Sequence, residues 1–155
     1  MPLSIRRATP ADAPVIVEFN RLLAEESEGK ALDRKILAPG VAKALADASK
    51  ALYFVAEEEG AILGQTMVTF EWSDWRDGWI WWIQSVYVER QVRQRGVFRA
   101  LFDHILATAR KQGDVVMIRL YVEEENVKAH KTYERLGMQR SGYFVLERPV
   151  GEEPT

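Results

Sequence analysis

The run Trp79-Ile80-Trp81-Trp82-Ile83-Gln84-Ser85-Val86-Tyr87-Val88, continued by Glu89-Arg90-Gln91-Val92-Arg93-Gln94-Arg95-Gly96 and then Val97-Phe98-Arg99-Ala100-Leu101, decides how this chain is understood. Aromatic and β-branched residues fill its first part, as in a buried strand. Residues 97–111 form an amphipathic helical pattern in which Leu101 and Ile105 share a face. The turn between them holds a single glycine and is surrounded by Arg90, Arg93, Arg95 and Arg99. A helix start leaves several N–H groups without helical partners and carries the positive end of the helix dipole, and Gly96 allows a ligand close to the backbone. This is a place for a phosphate. No G-x-x-x-x-G-K-[ST] is present and one glycine cannot make G-x-G-x-x-G, so neither a nucleoside triphosphatase nor a dinucleotide fold is favoured.

At 155 residues the chain is expected to form a single domain over residues 1–150, with 151–155 a frayed polar tail. A chain of this length buries roughly 70% of the surface its unfolded form exposes. The absence of cysteine excludes disulfides, zinc–thiolate sites and a cysteine nucleophile, and favours a cytoplasmic origin. With 21 basic and 23 acidic side chains the net charge is −2, which argues against a sequence-blind nucleic-acid binder. The amino terminus lacks the pattern of a secretory signal, and no apolar run approaches a membrane span.

Working outward, Leu3, Ile5 and Arg7 alternate as a short strand before Thr9-Pro10-Ala11-Asp12, with Thr9 or Asp12 near a helix cap. Val15, Ile16, Phe19, Leu22 and Leu23 recur at helical spacing, and Glu25 to Lys30 ends that helix. A second helical pattern over residues 33–49 is interrupted by Pro39-Gly40, expected to break or kink it. Residues 52–56 and 61–72 are strands joined by a charged hairpin loop at Glu57 to Gly60. A polar turn at 73–78 returns the chain as the central strand 79–88. Gly113 stops the following helix, and 115–122 is an apolar strand parallel to the central one because a helix connects them. A last helix, 127–136, is closed by Gly137 as a left-handed cap, and 138–148 is expected to supply one or two final strands. The order predicts an α/β sandwich with helices on both faces of a mixed sheet.

The turn Arg93 to Phe98 resembles the pyrophosphate loop [QR]-x-x-G-x-[GA] of the GNAT superfamily of acetyl-CoA-dependent N-acyltransferases, with Phe98 departing from the small residue usual there. A second run, Asn126-Val127-Lys128-Ala129-His130-Lys131-Thr132-Tyr133-Glu134-Arg135-Leu136-Gly137-Met138, resembles the family's N-x-x-A-x-x-x-Y-x-x-x-G-[FM]. Together with the element order, the resemblance covers almost the entire chain. It implies a three-layer α/β/α sandwich with a mixed, centrally splayed sheet. It also implies acetyl-CoA as co-substrate, no metal, and direct transfer to a primary amine.

Residue by residue, the resemblance implies that the pyrophosphate lies on the amides of Gln94, Arg95, Gly96, Val97, Phe98 and Arg99, with Arg93 among the loop's cofactor-binding residues. Val86, Tyr87 and Val88 on the central strand would flank the thioester, with an oxyanion donor among the N–H groups of 84–88 where a bulge opens the sheet. Asn126 would contact the pantetheine arm, although Asn also suits a plain helix N-cap. Tyr133 would stabilise or protonate the departing thiolate, although an aromatic at that spacing also suits a core position. Where several members carry a glutamate on the central strand, this chain has Gln84, which cannot be a base but can orient a water.

Acceptor candidates come from two places. All five tryptophans lie between Trp72 and Trp82, and Trp72 and Trp75 beside Glu71 and Asp74 are suited to a cationic amine. Packing and dimer contact explain the same tryptophans equally well. Glu25, Glu26 and Glu28 close the first helix, where Glu25 and Glu28 are candidates for an ammonium group and a solvated helix end is the plainer alternative. The layout is similar to that of the polyamine and thialysine acetyltransferases. His104 and His130 are too separated to form a metal signature. The expectation is a small-amine N-acetyltransferase acting as a homodimer without nucleic-acid or membrane partners. A non-catalytic acyl-CoA-binding module and a protein amino-group acetyltransferase are the alternatives.

Overall fold

The computed structural model describes residues 3–151. They form two compact units, divided between Tyr121 and Val122. The expected tail at 152–155 lies outside the described residues.

The first unit opens with β1 (Ser4–Arg7) and a 3₁₀ turn (Pro10–Asp12) leading into α1 (Ala13–Glu28). Thr9 caps that turn in a reciprocal box with Asp12, whose carboxylate accepts the Thr9 N–H at 2.8 Å. Arg6 then ties three elements together. Its guanidinium donates to both Asp12 oxygens at 2.9 and 3.0 Å and to Glu57 at 2.7 Å. Gly29 ends α1 in the left-handed conformation.

Pro39-Gly40 does not break the second helix. α2 runs Arg34–Ala46 with Pro39 inside it. Proline removes one N–H, the one that would bond the Lys35 carbonyl, and the fully packed Val41 anchors the next turn.

The sheet has the order β1-β2-β3-β4-β5, with β2 (Leu52–Glu58), β3 (Ala61–Ser73), β4 (Gly78–Val88) and β5 (Val115–Leu120). The first four strands are antiparallel neighbours, and β5 lies parallel to β4 after the crossover helix α3 (Val97–Gln112). Tyr53 and Val55 pack with Ile16, Val17 and Val41 in one cluster under α1 and α2. Phe54, on the opposite face by strand alternation, meets the His104 ring of α3 at 5.2 Å. Both faces of the mixed sheet are therefore covered, as expected.

The second unit contains α4 (Val127–Arg135), capped by the Asn126 side chain at its start and followed by Gly137 at φ +87°. It contains no strand among its described residues, which corrects the expectation for 138–148. Tyr143, Phe144, Val145 and Leu146 are all exposed. Their composition favours an extended conformation, but a strand exists only through a ladder, and propensity alone does not provide one.

Gly78 is required where β4 begins. A Cβ there would lie 2.4 Å from a Val116 methyl and 2.9 Å from the Asp114 carbonyl. Gly78→Ala should destabilise the protein by about 1–3 kcal/mol in urea denaturation. Val116→Ala in the same chain should recover part of that loss.

Candidate active site

The site begins with a failure of strand pairing. β4 pairs with β5 from Trp79 to Ile83, and from Gln84 onward it pairs with β3 alone. The β3 register shifts at the same place, with Met67 opposite Ser85 and Val68 opposite Ile83, so Gln84 is the bulged residue. The side of β4 that faced β5 is thereby opened along Val86, Tyr87 and Val88. Thr66 accommodates the bulge by donating its hydroxyl to the Ser85 carbonyl at 2.8 Å.

Beyond Val88 a 3₁₀ turn (Arg90–Val92) leads to Gln94 at φ +69° and Gly96 at φ +82°. Gly96 is the N-cap of α3 and, having no side chain, cannot itself cap the first turn. Gly64 lets the start of α3 lie close against β3, since a Cβ there would sit 3.0 Å from the Tyr87 carbonyl and 3.2 Å from Val97. Phe98 is half-buried, and its ring turns along the helix toward Phe102, 6.1 Å between centroids.

Each loop arginine meets a carboxylate. Arg95 reaches Glu58 at 3.3 Å and Arg99 reaches Asp103 at 3.2 Å. Arg90 and Arg93 both reach Glu26, at 3.2 and 2.9 Å. Glu26 also accepts the buried Tyr87 hydroxyl at 2.7 Å. The Tyr87 bond and then the Arg93 bond hold the Glu26 carboxyl down at about 2, while burial and Glu26 push the Tyr87 phenol above its ordinary value. The sequence contained no local sign of this cluster, because Glu26 and Tyr87 are brought together only by the packing of α1 on the sheet.

The acceptor candidates separate. Glu71 accepts Trp82 Nε1–H at 2.8 Å and lies 3.9 Å from Arg119. Trp82 stacks on Tyr121 at 4.7 Å. Gln84 is exposed and donates to the Thr69 hydroxyl at 2.9 Å, two residues along β3 from Glu71 and on the same face. Trp72 points to the other face, edge-on to Trp79 at 5.1 Å. Trp75 and Asp74 are exposed in the turn beyond β3. Glu25 is ion-paired to Arg21 and lines a cavity of about 180 Å³ with Gly29, Lys30, Ala31 and Leu32, whereas Glu28 is simply exposed at the helix end. Trp82 and Arg119 were not singled out as site residues from sequence; strand alternation from Gln84 places Trp82 on its face.

In the second unit Asn126 accepts the Ala129 N–H at 3.1 Å, so its carboxamide oxygen is a helix cap. Tyr133 is half-buried, and desolvation raises its phenol above the ordinary value, keeping it protonated at neutral pH. Among the described residues no cluster of histidine and carboxylate side chains suits a metal ion, and no helix is long and apolar enough to cross a membrane.

A model of the family described as Acetyltransferase (GNAT) family matches residues 17–138. The chain belongs to the GNAT acetyltransferase family. The crystal structure of a possible acetyltransferase from Clostridium difficile 630 is 42% identical, with a TM-score of 0.91 over 98% of this chain and all of that one. AAC(6')-Iy, solved with the bisubstrate analog CoA-S-monomethyl-acetylneamine, shares the fold at 16% identity, with a TM-score of 0.79 over 96% of this chain and 99% of its own. A ribosomal-protein-alanine N-acetyltransferase from Brucella melitensis biovar Abortus 2308 does so at 16% identity and a TM-score of 0.74, over 95% and 99%. A comparison with curated proteins finds no match. For a GNAT acetyltransferase, acyl transfer from acetyl-CoA is the family reaction.

Two predictions follow from the loop. Gln94 holds a positive φ that favours glycine, so Gln94→Gly should raise stability by about 0.5–1 kcal/mol in urea denaturation. The Glu26 carboxyl is depressed on folding, so its contacts stabilise the protein fully above pH about 4.5 and lose that effect as pH falls through about 2. The difference in urea midpoint between the native chain and Glu26→Gln should shrink across that window.

Proposed function

We propose that this GNAT acetyltransferase transfers the acetyl group of acetyl-CoA directly to a primary amine of a small molecule. The observation that carries the reading is the adjacency of the two halves of a thioester site. The pairing of β5 with β4 stops at Ile83, before Val86–Val88, and the start of α3, with the side-chain-less Gly96 as its N-cap, follows one turn later in the same chain. In this scheme the pyrophosphate lies on the amides of residues 94–99. An N–H of the bulged strand receives the thioester oxygen as it becomes an oxyanion, a contribution of about 3–4 kcal/mol to the barrier for a well-aimed donor.

The amine nitrogen attacks the carbonyl carbon, the C–S bond breaks, and coenzyme A leaves as a thiolate. Tyr133, protonated at neutral pH, supplies the proton or hydrogen bond that the thiolate needs. Before attack the ammonium form loses one proton through a water oriented by Gln84, which cannot itself be the base, to a carboxylate such as Glu71. The second proton, shed by the nitrogen as the C–N bond forms, replaces the one that Tyr133 gives to the thiolate. Glu71, on the same face as Gln84, is the carboxylate suited to attract the ammonium form. Glu25, beside the cavity after α1, is a second acceptor contact. We place the enzyme in the cytoplasm as a homodimer.

A binding-only reading is favoured by one observation, the carboxamide at Gln84 where a base would simplify catalysis. Thiol release from acetyl-CoA across polyamines, amino acids, aminoglycosides and short peptides separates the two readings. Turnover with one small-amine class is the expected result. Coenzyme A binding without thiol release on any amine would establish the binding-only reading, and release only with peptides would move the acceptor to protein amino groups. In the active case Tyr133→Phe should lower kcat about a hundredfold with the acetyl-CoA KM nearly unchanged.

A further inference from the structure

We infer that Glu26, in the last turn of α1, is the positioning residue of the cofactor cradle, holding the open edge of β4 and the arginine loop in one geometry before the acyl donor arrives. The inference rests on the reading of residues 93–99 as the pyrophosphate site.

A carboxylate at a helix C-terminus faces the negative end of the helix dipole, and α1 has no basic residue in its last turn to offset it. Its compensation comes from outside the helix. Tyr87 donates from β4, and Arg93 and Arg90 donate from the loop, so one side chain joins the strand to the turn. The geometry sorts the arginines into two kinds. Arg93 is held at three points: Nη2 on Glu26, Nε on the Val88 carbonyl at 2.9 Å, and its guanidinium over the Tyr87 ring at 5.3 Å. Arg95 and Arg99 each make one ion pair from a side chain more than half exposed, and Arg90 is more exposed still.

The exposed three can swing to phosphate oxygens at little cost. Arg93 cannot do so without abandoning charge-assisted bonds, and its role is to fix where the loop leaves the strand. A loop held in place beforehand does not have to be ordered when the ligand binds, and that saving appears as affinity. An opposing effect exists, because removing a negative charge beside a cationic loop raises its attraction for anions. The two effects have opposite signs, so the direction of one measurement decides between them.

The test is calorimetric binding of coenzyme A to the full chain and to Glu26→Gln, with acetyl-CoA kinetics in parallel. Glu18→Gln serves as the charge control, since Glu18 pairs with Arg21 and Arg34 on the same helix without reaching the loop. Positioning predicts that Glu26→Gln weakens coenzyme A about tenfold and raises the acetyl-CoA KM to match, with kcat within about twofold. Glu18→Gln should match the native chain. Equal or tighter binding by Glu26→Gln overturns the inference. If that variant does not fold, Glu26→Asp carries the test: the shorter side chain should weaken binding about threefold, and unchanged affinity is fatal to the idea. A native chain that binds no coenzyme A overturns the loop reading itself, which a change confined to Glu26→Gln would leave standing.

Discussion

Backbone hydrogen bonding constrains this structure at one point above all, the departure of β5 from β4 after the Ile83–Leu120 pair. A strand inside a sheet must satisfy donors and acceptors on both sides, and beyond Ile83 the β4 backbone has a partner on one side only. Everything that makes the region chemically useful follows from that. The bulge at Gln84 re-aims the strand, and Thr66 takes up the displaced Ser85 carbonyl.

Electrostatics then shape the turn that β4 enters. The positive end of α3, next to Arg90, Arg93, Arg95 and Arg99, is cationic. Carboxylates from α1, β2 and α3 balance those charges. Glu26 differs from Glu58 and Asp103 because it also holds Tyr87, so the charge balance and the position of the strand become one problem. These ion pairs tie the arginine loop to α1, β2 and α3 and offset its positive charge.

Much of the fold was legible because its signals are local. Helical periodicity in Val15, Ile16, Phe19 and Leu22, the glycine stops at Gly29, Gly113 and Gly137, and the Glu59-Gly60 turn between β2 and β3 each depend on neighbours in sequence. Two local rules were overridden. Pro39 costs α2 one hydrogen bond yet the helix continues through the buried Val41, and the apolar run at 143–146 has strand composition without a strand's partner among the described residues. The tryptophans illustrate a different limit. Alternation alone put Trp79 and Trp81 opposite Trp82, but only the register with β3 showed that Trp72 packs against Trp79 while Glu71 bonds Trp82.

What the sequence by itself determined is the sandwich order of the first unit, the arginine-flanked helix start and the capping of α4 by Asn126. Each follows from spacing, backbone propensity or a motif contained in a few consecutive residues. Tertiary structure alone decided that Glu26 joins Tyr87, Arg90 and Arg93, that Gly64 lets α3 approach β3, and that Glu71 shares a face with Gln84 and Trp82. Those contacts join residues distant in the chain, and their formation depends on helix docking and strand register, which no single segment encodes.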